Sequence, residues 1–151
     1  MIGSRDRLTR GNRMREHLFV YTSTSMIAPA YLHRELASIV DKAVQKNRSL
    51  EVTGALLYSE AGRFAQALEG SPQAIESIVA ALRKDTRHRN MVTIYDGPIT
   101  SRRFARWDMG WPGHWVAIDR AIQAAEYEAN LPSGRALTGL LDMMEHQLLA
   151  A

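Results

Sequence analysis

Two β-rich runs joined by a short turn constrain this chain more than any other feature. Val52-Thr53-Gly54-Ala55-Leu56-Leu57-Tyr58 and Phe64-Ala65-Gln66-Ala67-Leu68-Glu69-Gly70 flank a turn built on Ser59-Glu60-Ala61-Gly62. Runs of this composition about a glycine-containing turn read as a β-hairpin. A hairpin alone is marginal in water, so it needs more strands or helices to cover it. The sequence supplies both. Leu18 to Ser23 is short and β-rich, a first strand. Pro29 suits a helix start, and Leu32, Leu36, Ile39, Val40 and Ala43 form one apolar stripe running toward Asn47.

Beyond the hairpin, Ser71-Pro72 is an N-cap and N1 pair for a second helix, whose core face is Ile75, Ile78, Val79 and Leu82. Met91 to Tyr95 reads as a fourth strand and Arg106 to Trp111 as a fifth. The order β-α-β-β-α-β-β predicts an α+β fold, a ferredoxin-like sheet with two helices on one face. After Pro112-Gly113 the pattern turns helical. Trp115, Ile118 and Ile122 suggest a helix ending near Asn130. Leu137, Leu140, Leu141, Met144 and Leu148 mark a second with a wide apolar face. The expected division is a basic flexible arm (1–16), a main domain (17–112), and a C-terminal helical cap or dimerisation element (113–151).

Charge sharpens this division. The chain carries a net charge of +3, and Arg5, Arg7, Arg10, Arg13 and Arg15 against Asp6 and Glu16 account for all of it. The folded body is neutral and gives no support for nucleic-acid binding. Cysteine is absent, which excludes disulfides, thiolate metal sites and cysteine nucleophiles. No apolar run is long enough to span a bilayer, and the N-terminus is too basic and polar for a signal peptide. The expected location is cytoplasmic.

Side chains alternate along a strand, so Phe64, Gln66 and Leu68 share one face, the buried one. An amide there needs partners or costs about 1–3 kcal/mol. In a sheet ordered β4-β1-β3-β2, the first and third strands are neighbours, so Tyr21 and Gln66 face each other under the helices. A slot between the helices, lined by Ile39, Phe64 and Leu82, suits a flat apolar ring system. Asn47 is placed to meet the ring's polar edge, and Arg87 and His88 a phosphate at the mouth. Trp107 and Met109 share a face of the fifth strand.

These residues resemble the BLUF domains, flavin-based blue-light sensors. The matching stretches are Phe19-Val20-Tyr21-Thr22-Ser23, Asn47, Val52 to Tyr58, Phe64 to Gly70, Asp85-Thr86-Arg87-His88 and Phe104-Ala105-Arg106-Trp107-Asp108-Met109, in family order over roughly residues 17–111. The resemblance implies noncovalent FAD, with FMN or riboflavin as alternatives, between the two helices. It makes Tyr21 the photoactive tyrosine and Gln66 the switching glutamine. Asn47, Arg87 and His88 become flavin ligands, Ile39, Phe64 and Leu82 the walls, and Trp107 and Met109 the relay pair. Lys46 departs from the His or Asn often found beside the asparagine.

The expected function is therefore a blue-light photoreceptor, not an enzyme, that signals by a Tyr–Gln–flavin hydrogen-bond rearrangement. Its expected partners are the flavin, a second copy of the chain and an unidentified downstream protein. The alternative is a small acylphosphatase-like hydrolase on the same sheet order, which requires a backbone anion cradle beside the arginine.

Overall fold

The computed structural model describes residues 16–110, 116–129 and 134–150. The arginine-rich arm, Trp111 and Trp115 lie outside the described residues. Five strands, β1 (Glu16–Ser25), β2 (Thr53–Tyr58), β3 (Arg63–Gly70), β4 (His88–Ile99) and β5 (Trp107–Gly110), form one sheet. Their order is β4-β1-β3-β2-β5, antiparallel except for the parallel β2–β5 pair. Helices α1 (Leu32–Ser49), entered through a 3₁₀ turn at Pro29–Tyr31, and α2 (Pro72–Lys84) follow β1 and β3; α3 (Val116–Glu128) and α4 (Arg135–Ala150) end the chain.

The α+β, ferredoxin-like expectation holds, with local differences. β4 is twelve residues long, not the five from Met91 to Tyr95, because it is an edge strand paired only with β1. An edge tolerates Pro98, whose missing N–H would break the ladder inside a sheet. α1 runs two residues past Asn47, placing that side chain in its last turn rather than beyond the helix.

Alternation along the strands divides the interior into two cores. Phe19, Tyr21, Leu56, Tyr58, Phe64, Leu68 and Trp107 face α1 and α2 with Leu36, Ile75 and Ile78. Leu18, Val20, Ala55, Leu57, Ala65 and Ala67 face the other way, against Ile118, Ile122, Leu140 and Met144 of α3 and α4. The small side chains of that second face let the terminal helices approach closely. Burying each of the four helix side chains stabilises by about 2 kcal/mol. Both faces of the central strand β3 are therefore covered, and every residue from Phe64 to Gly70 is buried.

Local chemistry fixes the framework. Ser71 caps α2, its hydroxyl accepting from the amide of Ala74 at 3.2 Å. Such a cap contributes about 1 kcal/mol. Gly62 closes the hairpin at φ +79°, a conformation that a side chain strains. Gly54 lets β2 and β3 approach: a Cβ there would lie 1.9 Å from the carbonyl oxygen of Ala67.

Polar links join the terminal helices to the sheet. Glu126 of α3 accepts from the Thr22 hydroxyl of β1 at 2.7 Å and pairs with Arg63 of β3. Arg103, in the crossover from β4 to β5, bonds both Asp142 and Glu145 of α4 at 3.0 Å.

Candidate functional site

A cleft enclosing about 830 Å³, part of it open to solvent, lies between α1, α2 and the sheet. Nine of the ten residues singled out by sequence line it: Tyr21, Ile39, Asn47, Phe64, Gln66, Leu82, Arg87, His88 and Trp107. Met109 does not. It is half-buried on β5 against the α1–α2 core. Lys42, Lys46, Leu56, Ile78 and Asp85 also line the cleft. Lys42 was missed because its one legible signal, a four-residue step from Lys46 that puts both on one helix face, also describes any solvated surface.

Strand register brings the polar centre together. Tyr21 of β1 sits opposite Gln66 of β3, as their alternation predicts. The Gln66 amide donates from Nε2 to the Tyr21 hydroxyl oxygen at 2.7 Å. Its Oε1 accepts the indole N–H of Trp107 at 3.1 Å. Gln66 is 4% exposed and Tyr21 2%. Burial pushes the Tyr21 phenol above its ordinary value; the hydrogen bond from Gln66 lowers it and the Asp85 charge raises it further. The phenol is thus a neutral O–H at ordinary pH, and its own proton has no acceptor among the described residues.

Asn47 is 3% exposed. Its backbone carbonyl accepts from Val52, while its side-chain amide has no hydrogen-bond partner among the described residues. The amide borders the cleft, so a ligand's polar edge fits beside it. Ile39, Phe64, Ile78 and Leu82 supply the apolar walls. These groups together fit a flat ring with donors and acceptors along one edge, which is the chemistry of a flavin.

His88 and Arg87 are tied down by the protein itself. The His88 Nε2 donates to the Leu82 carbonyl at 2.7 Å, and Nδ1 lies 2.8 Å from the Ser23 hydroxyl. Because a carbonyl only accepts, the neutral ring carries its proton on Nε2 and takes the Ser23 proton at Nδ1. The ring stands edge-on to Phe64, at 89°. Arg87 forms a two-pronged pair with Asp85, Nε at 2.9 Å from Oδ1 and Nη2 at 2.6 Å from Oδ2. Hydrogen bonds from Arg87 hold the Asp85 carboxyl below its usual range. Lys42 and Lys46 form no ion pair among the described residues, which leaves their charge available at the cleft.

A family model described as "Sensors of blue-light using FAD", BLUF, matches residues 17–110. The chain belongs to the BLUF family. It is therefore a relative of flavin-based blue-light sensors, and Tyr21, Gln66 and Trp107 all fall within the matched region.

Curated relatives include photoactivated adenylate cyclase subunit alpha of Euglena gracilis, 38% identical over 85 residues, and subunit beta of Euglena longa, 37% identical over 76. These alignments cover 56% and 50% of this chain but only 8% and 9% of those proteins. BLUF structures share the fold. BlsA in its photo-activated state superposes with a TM-score of 0.70 at 23% identity, over 86% of this chain and 94% of that one. BlrB in its dark state gives 0.62 at 24% identity, over 90% and 96%. Klebsiella pneumoniae BlrP1 with FMN and cyclic diGMP gives 0.57 at 30% identity, over 65% of this chain and 26% of that chain.

Proposed function

We propose that this BLUF protein binds FAD noncovalently between α1 and α2 and acts as a blue-light photoreceptor whose switch is the Gln66 amide. The observation that carries it is the buried hydrogen-bonded chain Trp107–Gln66–Tyr21 at the floor of the cleft. Asn47 would meet the polar edge of the ring, and Ile39, Phe64 and Leu82 would hold its faces. Lys42 and Lys46 at the cleft favour a phosphorylated flavin, FAD or FMN, over riboflavin.

A flavin bound there supplies blue-light absorption and an excited state that is a strong oxidant. The protein supplies the readout. Tyr21 keeps its proton by burial and presents a phenol able to give up and regain that proton within the cleft. Gln66 offers a donor at one end and an acceptor at the other, so rotation or tautomerisation of its amide changes both bonds at once. Tyr21 would lose its incoming N–H and Trp107 its acceptor. The indole would then shift, carrying the change along β5 toward α4, which packs against β5 and β2. Met109, two residues along the same strand, would move with it.

The output is signalling to a protein partner without substrate turnover, by a cytoplasmic protein that forms a homodimer. No helix among the described residues is long and apolar enough to cross a membrane. Residues 17–112 would form the sensory domain and 113–151 its cap. The hydrolase alternative is not favoured, because the Arg87 guanidinium is already engaged by Asp85. Absorption spectroscopy of the purified protein tests the proposal. A flavin spectrum that shifts to the red under blue light and recovers in the dark is expected; a colourless or light-insensitive protein refutes it.

A further inference from the structure

Three residues along β3 from Gln66, on the opposite face of the strand, Glu69 is 1% exposed and has no cationic partner among the described residues. Its carboxylate is held entirely by neutral donors. Oε2 accepts the backbone N–H of Arg103 at 2.7 Å; Oε1 accepts that of Phe104 at 3.0 Å and the Thr53 hydroxyl at 3.3 Å. A buried carboxylate without a counterion is costly, and two oxygens matched to two consecutive amides make it tolerable. The amides belong to the crossover that delivers β5.

The placement has a regular geometry. β2 lies between β3 and β5, and Gln66 reaches past it on one face to Trp107. Glu69 reaches past it on the other face to Phe104. Gln66 and Glu69 are three residues apart, and so are Phe104 and Trp107. The two contacts are rungs that straddle β2 and leave β3 about 10 Å apart. One rung is the switch.

We propose that the other rung is a fixed post: Glu69 is a positioning residue that holds the Arg103–Phe104 backbone so that the Trp107 indole answers to the Gln66 amide. With the post in place the backbone leading into β5 cannot slide. A change at Gln66 must then be taken up by the indole itself, in one of two discrete arrangements. Without the post, the segment from Arg103 to Trp107 can drift and the indole follows loosely. This inference rests on the reading of Gln66 as the switch.

A double-mutant cycle on the flavin-loaded protein tests it, reading the dark-recovery rate in Glu69→Gln, Trp107→Phe and the pair. The amide of Glu69→Gln keeps the shape but sets an N–H against one backbone N–H. The expected result is a change of at least about threefold on Glu69→Gln with Trp107 present, and none in the Trp107→Phe background. An equal change in both backgrounds, or no change in either, overturns the inference.

Hydrogen exchange in the unmodified protein gives a second measurement that does not require the variant to fold. The Arg103 and Phe104 amides should stay protected in darkness and in light, while the Trp107 indole N–H loses protection in light. Loss of protection at those two amides on illumination overturns the post. A protein with no light-driven shift at all refutes the reading of the site; a normal shift that ignores Glu69 refutes only this inference.

Discussion

Trp107 decides which way the Gln66 amide points. An indole N–H can only donate, so the end of the amide it meets, 3.1 Å away, must be the oxygen. The NH₂ end is thereby turned onto the Tyr21 hydroxyl at 2.7 Å. The orientation follows from donor chemistry, where the shape of an amide alone would leave it ambiguous.

Gln66→Leu removes both bonds while keeping the volume near that of the amide. It should bind flavin and lose the normal light-driven shift, recorded as a light-minus-dark difference spectrum. Leaving the Trp107 N–H and the Tyr21 hydroxyl without this partner costs about 1–3 kcal/mol for each group, less the gain from an apolar side chain. An unaltered photocycle would remove Gln66 from the switch.

Tyr21→Phe should likewise bind flavin and lose the normal cycle. It also carries a pH signature. Burial lifts the folded phenol above its ordinary value of 10.0, so the folded chain holds this proton more tightly than the unfolded one. The resulting stability is full below pH 10.0 and declines as pH rises beyond it, through the folded value. Denaturant unfolding above pH 10.0 should show a shallower decline for Tyr21→Phe than for the unmodified protein.

Lys42→Ala and Lys46→Ala should weaken FAD and FMN while sparing riboflavin, which has no phosphate. Both lysines are exposed, so screening keeps each effect modest, about two- to fivefold in Kd. Added salt should shrink the difference. Titration calorimetry or fluorescence with the three flavins reads it; an equal loss for riboflavin would place the lysines elsewhere.

Glu126→Ala should loosen α3 from the sheet. It strands the Thr22 hydroxyl, which is 0% exposed, and takes the Arg63 partner away. The expected cost is about 1–3 kcal/mol, read as a lowered melting temperature with flavin affinity retained. A melting temperature unchanged from the parent would show that the apolar contacts of α3 alone hold it.

The elements that the sequence made legible are those with a strong local signal. Hydrophobic alternation placed Phe64, Gln66 and Leu68 on one face, and Ser71-Pro72 marked the start of α2. The motif order pointed to the BLUF family, and with it to nine residues that do line one cleft. Met109 was grouped with Trp107 because they share a strand face, but sharing a face does not set how far a side chain reaches. The twelve-residue β4 was read only from Met91 to Tyr95, since composition cannot tell an edge strand from a strand end.

By itself, then, the sequence determined the alternation, the caps and the family, because each is written in neighbouring residues. Only the tertiary structure decided which of Trp107 and Met109 meets Gln66, that His88 spends both ring nitrogens on Ser23 and Leu82, and that Glu69 and Gln66 span β2 from opposite faces. Those facts depend on strands far apart in the chain meeting in one register. A single slip of one residue would turn every one of those side chains to the other side of the sheet.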